Sequence, residues 1–410
     1  MKNKMNISQR KIILCLFSLI LFEPDGIKYF SYIDAFYKIL RIGIYVYLLL
    51  WSVLRYCTNT SKIKREELLI LLFSIGPSLV IAYTSFLNDG QTGYMINKIL
   101  IYAFVCIYVY YGYNCNHKYF LESTCTALKI YTFINLILML LLPGGLTKAY
   151  IDGNEYLSRW ILGAKNDGVP FYIAVLMLQF YLSFNKNKKS GYWVLWFVCM
   201  LQVILAKSST GIMALIATGI ISFVISPKIL KLINKIDINL NKAVLLGYVL
   251  TLIITLTDKL MGALLAINGI FSKVLFMSGR NFIWEKAYYY ILKSPMLGYG
   301  FENSEIMKTK FGGAAASHCH NMYIDIQYRG GILATVAFVV FWLYLAKKIK
   351  TNIVEKNDYS FVVMMMHFIL FPILLFQVEA YFDLKIFYLC ASVLYSESII
   401  LHNNRKRGYI

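Results

Sequence analysis

Apolar residues in this chain come in long runs, not in the half-apolar stripes of a soluble helix. The runs lie near 11–23, 37–54, 67–86, 98–113, 125–142, 169–184, 191–206, 210–226, 243–257, 320–346, 360–377 and 385–401. Several approach the ~20 residues needed to cross a hydrocarbon layer ~30 Å thick. Lipid offers the backbone no hydrogen-bond partner, so such runs become helices. The alternating ~10-residue segments of a β-barrel are not seen. The pattern predicts an all-α integral membrane protein, about twelve transmembrane helices in a single polytopic domain over 1–410. The first run has a basic front edge, but Phe22-Glu23-Pro24-Asp25 does not resemble a cleavage site, so it reads as an uncleaved helix.

Positive charge sets the expected orientation. Lys2, Lys4, Arg10 and Lys11 precede the first run, and every second loop after it is basic again. Those loops carry Arg55, Lys62, Lys64 and Arg65, then Lys186, Lys188 and Lys189, then Lys228, Lys231, Lys235 and Lys242, then Lys347, Lys348, Lys350 and Lys356, and last Arg405, Lys406 and Arg407. The alternation predicts both termini in the cytoplasm. It also accounts for most of the formal charge of +20, so nucleic acid is an unneeded partner. Composition agrees: 59% of the residues are hydrophobic and 15% charged, against about 45–50% and about 25% in soluble domains. Eight scattered cysteines form no C-x-x-C, and there is no phosphate-binding glycine loop of the ATPase type.

Two outward connections are long, 143–168 and 258–319, and long loops tend to be functional. Within the large extracytoplasmic loop 258–319, Phe282, Trp284, Ala287, Tyr288 and Ile291 recur at helical steps, with Lys286 and Lys293 on the polar side. That stretch is expected on the membrane surface or over a cavity.

Outside the basic inner loops, polar residues gather on the outer side. They are Arg159, Lys165, Asn166 and Asp167; Lys207, Ser208, Ser209 and Thr210; Arg280, His318, His320 and Asn321; and Glu379 and Asp383. Three of these groups sit at helix starts facing outward. Asp167 is expected to cap the sixth span, one of Ser208, Ser209 and Thr210 the eighth, and His320-Asn321 opens the tenth. Helix N-termini offer unpaired N–H groups and partial positive charge, which with Arg159 and Arg280 would form an anion site suited to a diphosphate. Asp325 and Arg329 share a helix face in the tenth span, either facing a cavity or neutralising one another. Gly330-Gly331 beside them would allow a bend. Two His and one Cys as close together as His318-Cys319-His320 rarely satisfy one tetrahedral ion, and no matching cluster occurs elsewhere in the sequence, so no metal is expected.

The stretch Arg280-Asn281-Phe282-Ile283-Trp284, then Ser294-Pro295-Met296-Leu297-Gly298-Tyr299-Gly300, then His320-Asn321, resembles the signature of the O-antigen ligase and Wzy-type polysaccharide polymerase superfamily. Gly331 falls ten residues after Asn321 as in that pattern, although the pattern's last glycine is Ala334. Arg159, Gly163 and Asn166 resemble its upstream Arg and Gly-x-x-Asn, and Ser208-Ser209-Thr210-Gly211 its serine turn, with Lys207 where an arginine would help.

The resemblance implies a GT-C-like glycosyltransferase of the outer face of the cytoplasmic membrane, using undecaprenyl-diphosphate-linked glycans and no cofactor or metal. On that reading His320 acts on the acceptor hydroxyl, and Arg280 and Arg159 neutralise the leaving diphosphate. Asn166, Lys207, Ser209, Trp284, Asn321, Asp325 and Arg329 bind substrate, and Glu379 and Asp383 are alternative bases. Donor and acceptor are both lipid-linked glycans, and other polysaccharide-assembly membrane proteins are possible partners. Polymerase, ligase and lipid-linked glycan transporter all remain open at this point.

Overall fold

The computed structural model describes residues 6–58, 65–151, 155–184, 190–224, 240–265, 280–312, 318–352, 359–380 and 384–406. Among the described residues the fold is all-α apart from one small hairpin. The first half holds α1 (Ile7–Leu21), α2 (Ser31–Thr58), α3 (Arg65–Leu87), α4 (Thr92–Leu141), α5 (Val169–Phe184), α6 (Ser190–Leu205) and α7 (Ser209–Val224). The second holds α8 (Leu240–Leu265), α9 (Arg280–Lys293), α10 (Ser304–Phe311), α11 (Met322–Asn352), α12 (Tyr359–Leu370) and α13 (Lys385–Lys406). Every expected apolar run coincides with a helix. Among the described residues, four stretches suffice by length and composition to cross a membrane: Ser31–Arg55, Glu67–Leu87, Thr92–Leu141 and Met322–Asn352.

The 50 residues of α4 are not one rod. Asn116 has extended backbone there, and the Tyr108 and Phe120 rings lie 5.3 Å apart. A straight helix would separate twelve residues by about 18 Å. The chain therefore reverses at Asn116, whose Oδ1 accepts from the Tyr119 amide at 3.0 Å and caps the returning arm. The two arms are the two runs 98–113 and 125–142.

Polarity is distributed as lipid requires. Ile39 and Leu50 on α2 are 68% and 57% exposed. Polar groups turn inward and bond across helices: Ser18 with Tyr108 and Thr124, Asn135 with Gln202, and Tyr192 with Ser222 and His367. Such bonds hold helices together where the surrounding lipid is as apolar as their side chains.

The connection 143–168 contains a feature the apolar pattern does not reveal. Thr147–Ile151 (β1) and Glu155–Arg159 (β2) pair antiparallel, with Thr147 opposite Arg159. At the other long connection, α8 continues to Leu265, past the expected end of its span at 257; residues 266–279 lie outside the described part.

Helix α11 is broken at Gly331, with φ +59° and ψ −159°. The break frees backbone groups on both sides, and the Pro295–Gly300 stretch takes them. The Tyr299 and Gly300 amides donate to the Tyr328 and Arg329 carbonyls at 3.0 and 2.7 Å. The Ile332 and Leu333 amides donate to the Pro295 and Met296 carbonyls at 2.8 and 3.3 Å. Gly298 has φ +69°, and a Cβ on it would lie 2.4 Å from the Tyr328 carbonyl oxygen. The glycines of the Pro-x-x-Gly-x-Gly stretch thus serve backbone-to-backbone approach. Asp325 and Arg329 lie on the short arm of α11 before this break, not along one straight span.

Candidate active site

Two packing devices deliver the site residues. The first is a small core in which Ile283, Trp284, Ala287 and Ile291 of α9 meet Met307, Phe311, Cys319, Ile324 and Tyr328. Trp284 is buried there and its indole N–H donates to the Cys319 carbonyl at 2.8 Å. That bond ties the helix that starts at Arg280 to the His318-Cys319-His320 turn. Phe282, expected on the same apolar stripe, is 50% exposed.

The second device connects α8, α11 and the end of α12. After Leu370 the last helix widens into a π-type turn over Phe371–Leu375, then ends at Val378. Gln377 donates to the Gly247 carbonyl at 2.9 Å and accepts from Thr251 at 2.8 Å. Asn321 donates to the Gln377 carbonyl at 3.2 Å. The Asn321 side-chain oxygen also accepts from the Tyr323 and Ile324 amides at 3.0 and 3.2 Å, so it caps α11. Asn321 thereby brings the chain after α12 against the residue preceding it, His320.

The result is a junction centred on Glu379. His318 Nε2 lies 3.0 Å and His320 Nδ1 3.1 Å from Glu379 Oε1. Asn166 donates to Oε2 at 3.4 Å, and the Arg280 guanidinium stands 3.8 Å from the same oxygen. Ser208 donates to Asn166 Oδ1 at 2.8 Å, and its own oxygen accepts from the Gly211 amide at 2.9 Å, capping α7. Four separate chain segments therefore converge on one carboxylate.

Protonation follows from these contacts. Burial pushes the Glu379 carboxyl up, but the His320 hydrogen bond and the fields of His318, His320 and Arg280 overcome it and hold it at about 2. Burial, then the neighbouring His320, pulls His318 down to about 4. His318 is thus neutral near pH 7. Its Nδ1 accepts the His320 amide at 3.0 Å, so its proton sits on Nε2, toward Glu379. His320 meets the same oxygen through Nδ1, so Nε2 is the ring nitrogen on the side away from Glu379. His320 also has φ +47°. A non-glycine residue held in that region costs about 1–3 kcal/mol and tends to mark a working site.

The remaining expected residues are placed as follows. Arg159 ends β2 and donates to the Tyr29 hydroxyl at 3.0 Å, away from Glu379 in its hydrogen bonding. Lys207 is exposed at φ +53°, in the position that closes α6. The Ser208 and Lys207 amides bond back to the Val203 and Ile204 carbonyls, the pattern glycine usually serves. Ser209 is exposed at the first turn of α7, while Ser208 is its cap. Asp167 does not cap α5; its carboxylate accepts from the Ala164 amide at 2.8 Å and closes the turn before that helix. Arg329 donates to Asp325 at 2.7 Å, and its guanidinium stacks 4.1 Å from the Phe301 ring centroid. Asp383 lies outside the described residues.

Sequence alone showed no cluster to match the His-Cys-His turn. Folding supplies a carboxylate, since ligand atoms of His318, His320 and Glu379 lie within 4.8 Å of one another. The Glu379 oxygens here are engaged by N–H donors, an arrangement that orients imidazoles.

A cavity of about 250 Å³ opens beside the junction, lined in part by His318, Glu379, Asp167, Lys98 and Lys385. No curated protein matches the chain. Residues 193–339 match the family model described as O-Antigen ligase. The match takes in Ser208, Arg280 and His320 and leaves Arg159, Asn166 and Glu379 outside. The family that the Arg-x-x-x-Trp, Pro-x-x-Gly-x-Gly and His-Asn stretches resemble is therefore the one whose model residues 193–339 of this chain match.

Proposed function

We propose that this protein polymerises undecaprenyl-diphosphate-linked oligosaccharide repeat units into a capsular, exopolysaccharide or O-antigen chain at the outer face of the cytoplasmic membrane. The observation that carries the reading is the His320–Glu379–Arg280 junction beside a cavity, in a chain matched to the O-antigen ligase family. In the reaction, the acceptor hydroxyl attacks the anomeric carbon of the donor. Its proton passes to Nε2 of His320, and Glu379 stabilises the imidazolium that forms. The bond from the anomeric carbon to the diphosphate oxygen breaks, and Arg280, with Arg159 as a second cation, takes up the charge on the departing diphosphate. A single displacement inverts the anomeric centre and requires no metal. About twelve crossings, with both termini cytoplasmic, would put the junction on the outer side.

Ligase-type transfer of finished glycan to another acceptor uses the same groups and is the second reading, favoured by the match of residues 193–339 to the O-antigen ligase family. A deletion strain separates the two. Single repeat units accumulating on lipid are expected; full-length polymer lacking its final attachment would indicate a ligase. Normal attached polymer would remove both.

A further inference from the structure

Helix α9 has two apolar sides, and one of them is used inside the protein. Ile283, Trp284, Ala287 and Ile291 are buried in the small core that also holds Cys319. The opposite side carries Phe282 at 50% exposed, Tyr289 at 52% and Leu292 at 80%, and Met296 just beyond the helix end is 55% exposed. Lys286 and Lys293 border the same side; their ammonium groups stand 5.6 Å from the Phe282 and 4.3 Å from the Tyr289 ring centroid. Large apolar side chains gathered at a surface mark a contact with lipid or with another molecule. Glu285, the acidic residue of this helix, lies two turns nearer the Arg280 end than Leu292.

The chain after α9 indicates what covers that side. The Pro295 and Met296 carbonyls accept from the Ile332 and Leu333 amides, so the end of α9 lies level with the start of the long arm of α11. That arm turns Ile332, Leu333, Val336, Val340 and Leu343 outward, 37–52% exposed and at helical steps. Met322–Asn352 is long and apolar enough to cross a membrane, and an outward apolar stripe on such a helix faces lipid. Leu292 and Met296 extend this stripe past the break at Gly331, and Tyr289, Lys293 and Lys286 follow along α9. A bilayer boundary selects that order: hydrocarbon for leucine, the headgroup level for tyrosine, and phosphate for an ammonium at the end of an apolar stem.

We propose that α9 is an interfacial anchor. Leu292 and Met296 enter the hydrocarbon edge of the adjacent leaflet, and Lys286 and Lys293 meet the phosphates of anionic phospholipids. The other end of the helix is Arg280, about 20 Å from Lys293 along the axis. The anchor thus fixes the height of that guanidinium, and of the Glu379 junction, relative to the leaflet. Such an anchor does not depend on the glycosyl-transfer reading.

The test uses full-length protein with Cys15, Cys57 and Cys115 replaced by serine, in nanodiscs of phosphatidylcholine with or without phosphatidylglycerol. A nitroxide is attached at Leu292→Cys, at Val336→Cys as the hydrocarbon reference, or at Glu305→Cys as the water reference. Its relaxation by oxygen, which concentrates in hydrocarbon, is compared with that by a water-soluble nickel chelate. The Leu292 label should resemble the Val336 label. Lys286→Glu with Lys293→Glu should raise its nickel exposure at least about twofold in discs with phosphatidylglycerol and leave it unchanged in phosphatidylcholine alone; the two arginine replacements should keep wild-type depth. A Leu292 label as open to nickel as the Glu305 label would overturn the proposal and leave this side to a soluble glycan or protein. Unchanged depth in the charge-reversed protein would remove anionic phospholipid as the partner. A Val336 label that reads water would overturn the anchor together with the lipid-facing reading of α11.

Discussion

Two charged clusters stand a few residues apart on either side of the start of α11, and they are built differently. Asp325 and Arg329 are 3% and 2% exposed, contact each other, the Cys319 amide at 3.2 Å and the Phe301 ring, and border only a recess of about 50 Å³. Glu379, His318 and His320 are only partly buried, share one carboxylate oxygen and adjoin a cavity. The first is an ion pair along one helix, with its guanidinium stacked on Phe301; the second joins a strained backbone to a carboxylate held anionic, beside a chamber of about 250 Å³. Charge burial alone therefore does not mark a catalytic group; what matters is whether the charges open onto a space a substrate can fill.

The largest effect should come from the open cluster. His320→Ala and Glu379→Gln are each expected to lower polymerisation at least about 100-fold, with unchanged protein level in the membrane. Polymer ladders on gels read this, and a normal ladder from either variant at normal expression would erase the distinction between the clusters.

The closed cluster should respond in stability. Asp325→Asn leaves Arg329 buried without its counter-charge, a loss of about 3–5 kcal/mol. It should appear as a lowered thermal midpoint and lower abundance, and Asp325→Asn combined with Arg329→Met should recover much of it. If Asp325→Asn keeps its abundance but abolishes chain growth, this pair too belongs to the active site.

Arg280→Lys should fall between these, with roughly tenfold slower chain growth, because lysine replaces a planar fork with a point charge. Full activity in the lysine variant would reduce Arg280 to a diffuse electrostatic role.

Acid sharpens the contrast in a gentler way. His318 is depressed to about 4, below the ~6.5 of an unperturbed imidazole. The unfolded chain therefore binds more protons between those values, and stability should decline as pH falls from about 6.5 toward 4. Glu379 is held at about 2 against an ordinary 4.5, so its contribution is present above about 4.5 and disappears only as pH drops through 2. His318→Gln should flatten the first slope, as followed by thermal melts in detergent; an unchanged slope would assign it to another group.

The smallest expected effect is that of chelation. EDTA should leave activity on a synthetic lipid-diphosphate substrate unchanged. Complete loss restored by zinc would turn His318, His320 and Glu379 from proton-handling groups into ligands.

How far the site was readable from sequence can be followed residue by residue. Helices at all the expected apolar runs were legible because hydrophobic run length is a local property. Ser208 as a cap and Asn321 as the start of α11 were legible for the same reason: a cap acts on amides two or three residues away. The reversal between the runs 98–113 and 125–142 was legible as a gap in the apolar pattern, whereas the hairpin 147–159 was not, since it creates no apolar run. Glu379 ranked only as an alternative base, because nothing within the residues around it signals that His318, His320, Asn166 and Arg280 will all point to it. Those partners are 59 to 213 positions distant in the chain. The sequence by itself determined an all-α membrane chain and the family-like stretches around Arg280 and His320. Only tertiary packing decided that α5, α9, α11 and the end of α12 would meet at one carboxylate, because a charge's partner is chosen by distance in space, on which sequence separation is silent.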